Sequence, residues 1–336
     1  MALGRYGLYG VLSLLGYLLL LLPIRLNSVY DALAFLAMFT LSQIVGLAIM
    51  GRVGTGNLMS IALSLGTLGG YVGVVLGNVY LGNILLGFGF GLYFIGLVGV
   101  LGLLLALRGL TNYFAYIYSS LLALGMVIGS LNLNTGVLQA LLIVLMLSLS
   151  LYMALSEVYL KPSRLGLSYV VRNLNLVPAA ALISTALSYM TASLTSLAGA
   201  WAAWPALAAP LAPLALIPVG RRINDVGLVK YLLITLGSLS ILAYVFNGYY
   251  VKLPLVFASA MLYAASLRLI AQVSSPFLYL PSISFAYALS TLMVMPLELA
   301  LGFRAGFLAV GLITLAEVVI LRVIKLAIPA ELKDGG

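Results

Sequence analysis

Seven acidic and sixteen basic side chains supply all the formal charge of this 336-residue chain, which has neither histidine nor cysteine. That inventory removes haem ligation by histidine, iron–sulfur clusters, zinc sites built on His or Cys, and thiol or imidazole catalysis. No cofactor and no metal site is expected. The side chains with chemistry left to do are those carried into apolar runs. A charge at the centre of a bilayer costs about 2.5–3.5 kcal/mol on insertion scales, so each one needs a reason. Glu317 lies halfway along such a run. It reads either as a carboxylate carrying a proton or cation, or as a structural hydrogen-bond partner of the tenth or eleventh run. Glu298, just after Pro296, reads either as half of an outer gate with Arg304 or Lys252, or as a carboxylate at headgroup level. Arg172, Asn173, Asn175 and Arg268 offer guanidinium and amide groups suited to a carboxylate or phosphate, which Arg grips in bidentate fashion. Snorkelling to lipid headgroups is the simpler reading of both arginines. Glu157 and Lys161, four residues apart with the acid first, form a local structural pair.

The elements that carry these groups are membrane spans. Hydrophobic residues make up 64% of the chain and charged residues 7%, with a mean hydropathy of +1.22. An ordinary soluble domain is excluded. The apolar runs predict an all-α integral membrane protein of about twelve spans, each near the roughly 20 residues that a bilayer requires. The spans are 1, Tyr6–Pro23; 2, Ala32–Met50; 3, Leu58–Gly77; 4, Leu81–Leu107; 5, Tyr113–Leu131; and 6, Gly136–Leu160. The second set is 7, Leu167–Tyr189; 8, Trp201–Val219; 9, Val229–Phe246; 10, Leu255–Ala271; 11, Ser282–Leu301; and 12, Ala305–Leu326. The first run has no A-x-A cleavage pattern after it and is kept as a span rather than a signal peptide.

The basic residues orient the set. With Met1 in the cytoplasm, Arg52, Arg108, Lys161, Arg164, Arg221, Arg222 and Arg268 fall in cytoplasmic loops, as do Arg5, Arg322, Lys325 and Lys333 at the ends. Arg172 and Lys230 open spans on that face, and only Arg25, Lys252 and Arg304 fall on the other. Cytoplasmic loops keep Lys and Arg during insertion, so both termini are expected inside, in a multi-pass protein of the plasma membrane. The net charge of +9 is scattered; it suits membrane lipids as partners and not nucleic acid.

Spans 3 and 4 are rich in glycine, from Gly66 to Gly96, which predicts close helix packing more than ligand contact. Span 8 holds Pro205, Pro210, Pro213 and Pro218 and is expected to kink. Among 21 tyrosines, Tyr6, Tyr80, Tyr249 and Tyr250 fit interfacial belts, while Tyr113, Tyr116, Tyr118, Tyr189 and Tyr287 are candidates to line a cavity. A basic, glycine-bearing turn follows span 2 (Gly51-Arg52-Val53-Gly54-Thr55-Gly56), and another follows span 8 (Gly220-Arg221-Arg222-Ile223-Asn224-Asp225-Val226-Gly227). They divide the chain into two six-span halves, residues 1–166 and 167–336, a plan that places a substrate site between halves near the midplane.

These turns resemble the major facilitator superfamily of secondary transporters, whose signature after helix 2 is G-x-x-x-D-R-x-G-R-R with an echo after helix 8. Arg52 and Gly54 match the first copy; Gly220, Arg221 and Gly227 match the second, with Arg222 and Asp225 beside them. The glycines of span 4, Gly87, Gly89 and Gly91, resemble the family's R-x-x-x-G-x-G-x-G stretch, with Asn83 at the arginine position. Gly125 and Gly129 resemble the glycines of its antiporter motif, with Ser130 where proline is usual. The chain departs from the pattern at Gly51, Thr55, Gly56 and Asn224, so a conventional proton relay and charge latch are not carried over. The resemblance implies a cavity flanked by spans 7, 10 and 11, with span 12 at the periphery. It also implies gating at the two motif turns.

The function expected is secondary transport of a small neutral, amphipathic or mildly anionic solute by alternating access, in a monomer, with a coupling ion such as a proton. A non-catalytic subunit of a larger membrane complex is the alternative. A lipid-linked glycosyl- or prenyltransferase would need paired carboxylates for Mg²⁺ or base chemistry. No D-x-x-D or D-x-D pair is present, and an enzyme is not expected. A proton-pumping subunit would want a midplane line of Lys, Glu and His, which the chain lacks.

Overall fold

The computed structural model describes residues 2–25, 28–107, 113–130, 136–156, 176–197, 201–219, 225–246, 248–273 and 295–323. The described residues are helical almost throughout. In chain order they form α1 (Ala2–Leu21), α2 (Val29–Val53), α3 (Thr55–Gly70), α4 (Val79–Leu107), α5 (Phe114–Ser130) and α6 (Gly136–Leu155). The second set is α7 (Leu176–Leu197), α8 (Leu211–Val219), α9 (Asp225–Phe246), α10 (Tyr249–Val273) and α11 (Met295–Val323). These eleven α-helices track the expected spans, with twelve not reached among the described residues. Four helical stretches are long and apolar enough to cross a membrane unaided: Thr55–Val75, Val79–Leu97, Val226–Phe246 and Tyr249–Arg268. Shorter apolar helices accompany them, and the chain is a multi-pass membrane protein.

Three boundaries differ from the sequence reading. Span 7 was expected to stop at Tyr189, but α7 runs on to Leu197. Its last turns, Thr191-Ala192-Ser193-Leu194-Thr195-Ser196, lie beyond the expected end of the span and are rich in hydroxyls. In a helix such hydroxyls bond back to the preceding turn, as the Ser196 hydroxyl does to the Ser193 carbonyl at 2.8 Å. Span 8 is broken as its prolines predict: a 3₁₀ segment, Trp201–Ala208, precedes α8. Spans 11 and 12 meet inside α11 at Gly302, whose φ of 74° interrupts the helix; residues 282–294 of span 11 lie outside the described residues.

Packing follows the glycines. A Cβ on Gly82 of α4 would stand 2.7 Å from the Gly73 nitrogen and 2.9 Å from the Gly69 carbonyl. Gly73 sits in a π turn, Tyr71–Val75, that prolongs α3. On the other side of α4, Gly87 and Gly91 lie against the backbone of Phe35 and Phe39 in α2. The packing reading of these glycines is therefore the one observed. α4 is the hub of the first helices, contacting α1, α2 and α3, while α3 also packs on α6. Later in the chain α10 contacts α7 and α9, and α9 packs on α11. Hydroxyls join both outer pairs: Ser60 and Ser64 of α3 meet Ser150 of α6 at 2.9 and 3.0 Å, and Ser240 of α9 donates to the Phe307 carbonyl of α11. Such bonds hold helices where lipid offers no hydrophobic drive.

Candidate functional site

The first motif turn is a tight helix-to-helix joint. Gly51 and Arg52 end α2, and Gly54 (φ 80°, ψ 154°) separates it from α3 in a conformation that favours glycine. The Gly54 carbonyl accepts the Leu58 N–H at 3.1 Å and starts α3. Arg52 is exposed. Gly56 packs against the last turn of α6, where a Cβ would stand 2.8 Å from the Met153 carbonyl. This explains Thr55-Gly56 where the family has a basic pair: Thr55 is fully buried, and no long side chain fits at Gly56. Of the second turn, Gly220, Arg221, Arg222 and Asn224 lie outside the described residues; Asp225 opens α9, and Gly227 is half-buried in its first turn.

Asn83 does not stand free in a cavity. It is buried, and its amide clasps the chain after α1: Nδ2 donates to the Arg25 carbonyl at 2.6 Å, and Oδ1 accepts the Arg25 N–H at 3.4 Å. Arg172, Asn173 and Asn175 lie outside the described residues, and Glu298 falls in the first turns of α11.

Arg268 reaches across to α5. Half-buried near the end of α10, it donates through Nη1 to the Tyr116 hydroxyl of α5, and its guanidinium carbon lies 5.8 Å from the centroid of the Tyr116 ring. Deeper in the same seam, Tyr118 of α5 and Tyr263 of α10 bring their rings to 6.1 Å. Tyr118 also meets Phe94 of α4 edge-on at 4.8 Å. From there, rings continue through Phe39 of α2 at 5.5 Å and Phe90 of α4 to Tyr17 of α1 at 5.2 Å. The middle of the bundle is thus a buried, uncharged aromatic column. Gln43, one turn along α2 from Phe39, is fully buried, and neither atom of its amide has a hydrogen-bond partner among the described residues.

Glu317 is held by a helix the sequence reading did not name. The Thr185 hydroxyl of α7 donates to its Oε1 at 2.8 Å, so the structural partner is span 7 rather than span 10 or 11. Its Oε2 is buried without a hydrogen-bond partner among the described residues. One turn away on both helices, the Tyr189 and Thr314 hydroxyls share a bond of 2.8 Å. Reasoning from sequence missed Gln43, Tyr263 and Thr185. A run of eight hydroxyl residues between Ser184 and Ser196 was the signal available for Thr185.

No family model matches the chain, and no curated protein matches it. Solved structures do. The E. coli fucose:proton symporter FucP superposes with a TM-score of 0.64 at 13% identity, over 95% of this chain and 98% of that one. A POT family transporter in complex with 5-aminolevulinic acid gives 0.62 at 14% identity, over 98% and 96%. The chain has the major facilitator fold. The seam of α5 with α10 joins helices from opposite sides of the expected division at residue 166, and it holds Arg268, Tyr116, Tyr118 and Tyr263.

Proposed function

We infer that this protein is a secondary carrier moving a small, neutral or amphipathic solute by alternating access. The moving bodies are residues 1–166 and 167–336, with both ends cytoplasmic in the plasma membrane. The observation that carries the reading is the α5–α10 seam. Arg268 is tied to Tyr116 by a hydrogen bond and a cation–ring contact, both of which can break and re-form. A static scaffold would be expected to close such a seam with apolar packing. The repeated pairings, α3 on α6 beside α9 on α11 and α3 on α4 beside α9 on α10, support the two halves. The solute class follows from the centre. Aromatic faces bury apolar surface, Gln43 offers a donor and an acceptor, and no charged side chain joins the aromatic column among the described residues. A mildly anionic solute would meet the Arg268 guanidinium in the seam.

The chain has no cysteine, which makes the seam directly testable. Tyr116→Cys with Arg268→Cys is reconstituted in vesicles and joined by a short bifunctional maleimide. Solutes are chosen by thermal shift, since a ligand that binds only the folded state raises apparent stability by about 2.7 kcal/mol at a hundredfold excess over its Kd. Uptake should stop on cross-linking, while either single variant keeps, after the same treatment, whatever rate it had before it. Unchanged uptake in the cross-linked protein would refute a seam that opens during transport.

A further inference from the structure

We propose that α7 and α11 carry a proton-binding site built on Glu317, approached past a stripe of α7 hydroxyls, on the flank of one half and apart from the aromatic column, whose rings come from α1, α2, α4 and α5 and, through Tyr263, from α10. This rests on the carrier reading for its use but not for its existence.

Four observations point there. Glu317 spends one oxygen on Thr185 and leaves the other buried and without a partner among the described residues. An ionised carboxylate in that position has neither a cation nor a second donor, whereas the acid form completes the site with one added hydrogen. Next, five of the α7 hydroxyls share one face: Ser188 and Tyr189 lie three and four residues after Thr185, Ser193 four after Tyr189, and Ser196 three after Ser193. Third, Ser188 and Ser193 are buried with hydroxyls that make no hydrogen bond among the described residues, so the stripe has donor and acceptor capacity to spare for water. Last, Ser196 is half-buried at the end of the stripe, about 16 Å along the helix from Thr185 at 1.5 Å per residue.

The neighbours do not supply a counter-charge. α11 packs on α7 and α9. Of the described titratable groups, α7 brings Tyr189, which is bonded to Thr314. α9 brings Lys230, Tyr231 and Tyr244. Gly237 of α9 faces Leu315 and Ser240 faces Gly311, so the two helices run antiparallel and Lys230 sits roughly one and a half turns beyond the level of Glu317. Tyr231 is exposed, and Tyr244 lies at the far end, where its carbonyl accepts from Arg304 of α11. A hard cation would need about six or more oxygens around it; one free carboxylate oxygen suits a proton. The step is a plain protonation. A hydronium ion arriving from the Ser196 side gives up one O–H bond and leaves as water, an O–H bond forms at Glu317 Oε2, and the carboxylate charge goes from −1 to 0 with nothing oxidised or reduced.

The test is infrared difference spectroscopy of the full chain in lipid vesicles, without solute. Only seven carboxyl side chains contribute. The wild type at neutral pH should show the C=O stretch of a protonated, water-excluded carboxyl, giving way to carboxylate bands as pH rises. Glu317→Gln should abolish it, and Thr185→Val, which removes the one donor, should shift it while the protein stays folded by thermal unfolding. A band that survives Glu317→Gln, or is unmoved by Thr185→Val, overturns the proposal, as does a band seen only when sodium is withdrawn. If Glu317→Gln does not fold, the Thr185→Val shift decides alone. Uptake by the wild type in the same vesicles is a separate readout, so a failed proton site and a failed carrier reading are told apart.

Discussion

Asn83 occupies the position where the resembled family carries an arginine, and its geometry explains the exchange. Arg25 presents both a backbone donor and a backbone acceptor to it; an amide answers both, whereas a guanidinium has no acceptor to offer. Asn83→Ala should therefore cost stability, about 1–3 kcal/mol for the backbone groups left unpaired, and leave solute affinity unchanged. Thermal unfolding in detergent beside a binding titration checks this. Loss of affinity at unchanged stability would return Asn83 to the cavity. The same residue marks the limit of the sequence: a polar side chain in an apolar run was legible as needing a partner, but which partner depends on a contact 58 positions away in the chain. Arg268 and Glu317 were picked for the same reason, and their partners, Tyr116 and Thr185, lie 152 and 132 positions off. Periodicity carries no record of such distances.

At the scale of elements, hydropathy located α1 to α6 because each is an apolar run closed by a turn. It stopped short on α7, whose last turns are rich in hydroxyls that lower the hydropathy of a helix running on to Leu197. The glycines of α3 and α4 were read correctly because their number, not their partner, was the message. Their packing gives a quantitative expectation. Around Gly82 the obstacles are backbone atoms of Gly73 and Gly69, which cannot rotate away. Gly82→Val must push α3 from α4, at a cost of about 1–3 kcal/mol or more for overpacking. Gly7→Ala in α1 has nothing within 4 Å of the added methyl and should be neutral or slightly stabilising, since alanine favours helix over glycine by roughly 1 kcal/mol. Thermal unfolding of the pair in one detergent measures the contrast. Equal effects would mean that the α3–α4 approach is not close in the membrane.

The whole molecule raises a question that helix packing leaves open, namely which way it faces. The bundle has two ends. α2 finishes at one of them with Arg52 exposed, while α4 begins at the other with Tyr80 exposed, and α10 begins with Tyr250 exposed. Thirteen of the sixteen basic residues fall on the Arg52 side in the loop assignment made from sequence, and retention of Lys and Arg in the cytoplasm then turns that side inward. The absence of cysteine makes each introduced thiol a clean reporter. In intact cells, Tyr80→Cys and Tyr250→Cys should react with a membrane-impermeant maleimide added outside. Arg52→Cys should react only after the membrane is opened. The reverse pattern would invert the carrier, and with it the face from which the α7 hydroxyl stripe takes its proton: Ser196 lies toward the C-terminal end of α7, the end that this orientation turns to the outside. Labelling of all three from one side would be incompatible with the alternation of spans on which the two-half reading depends.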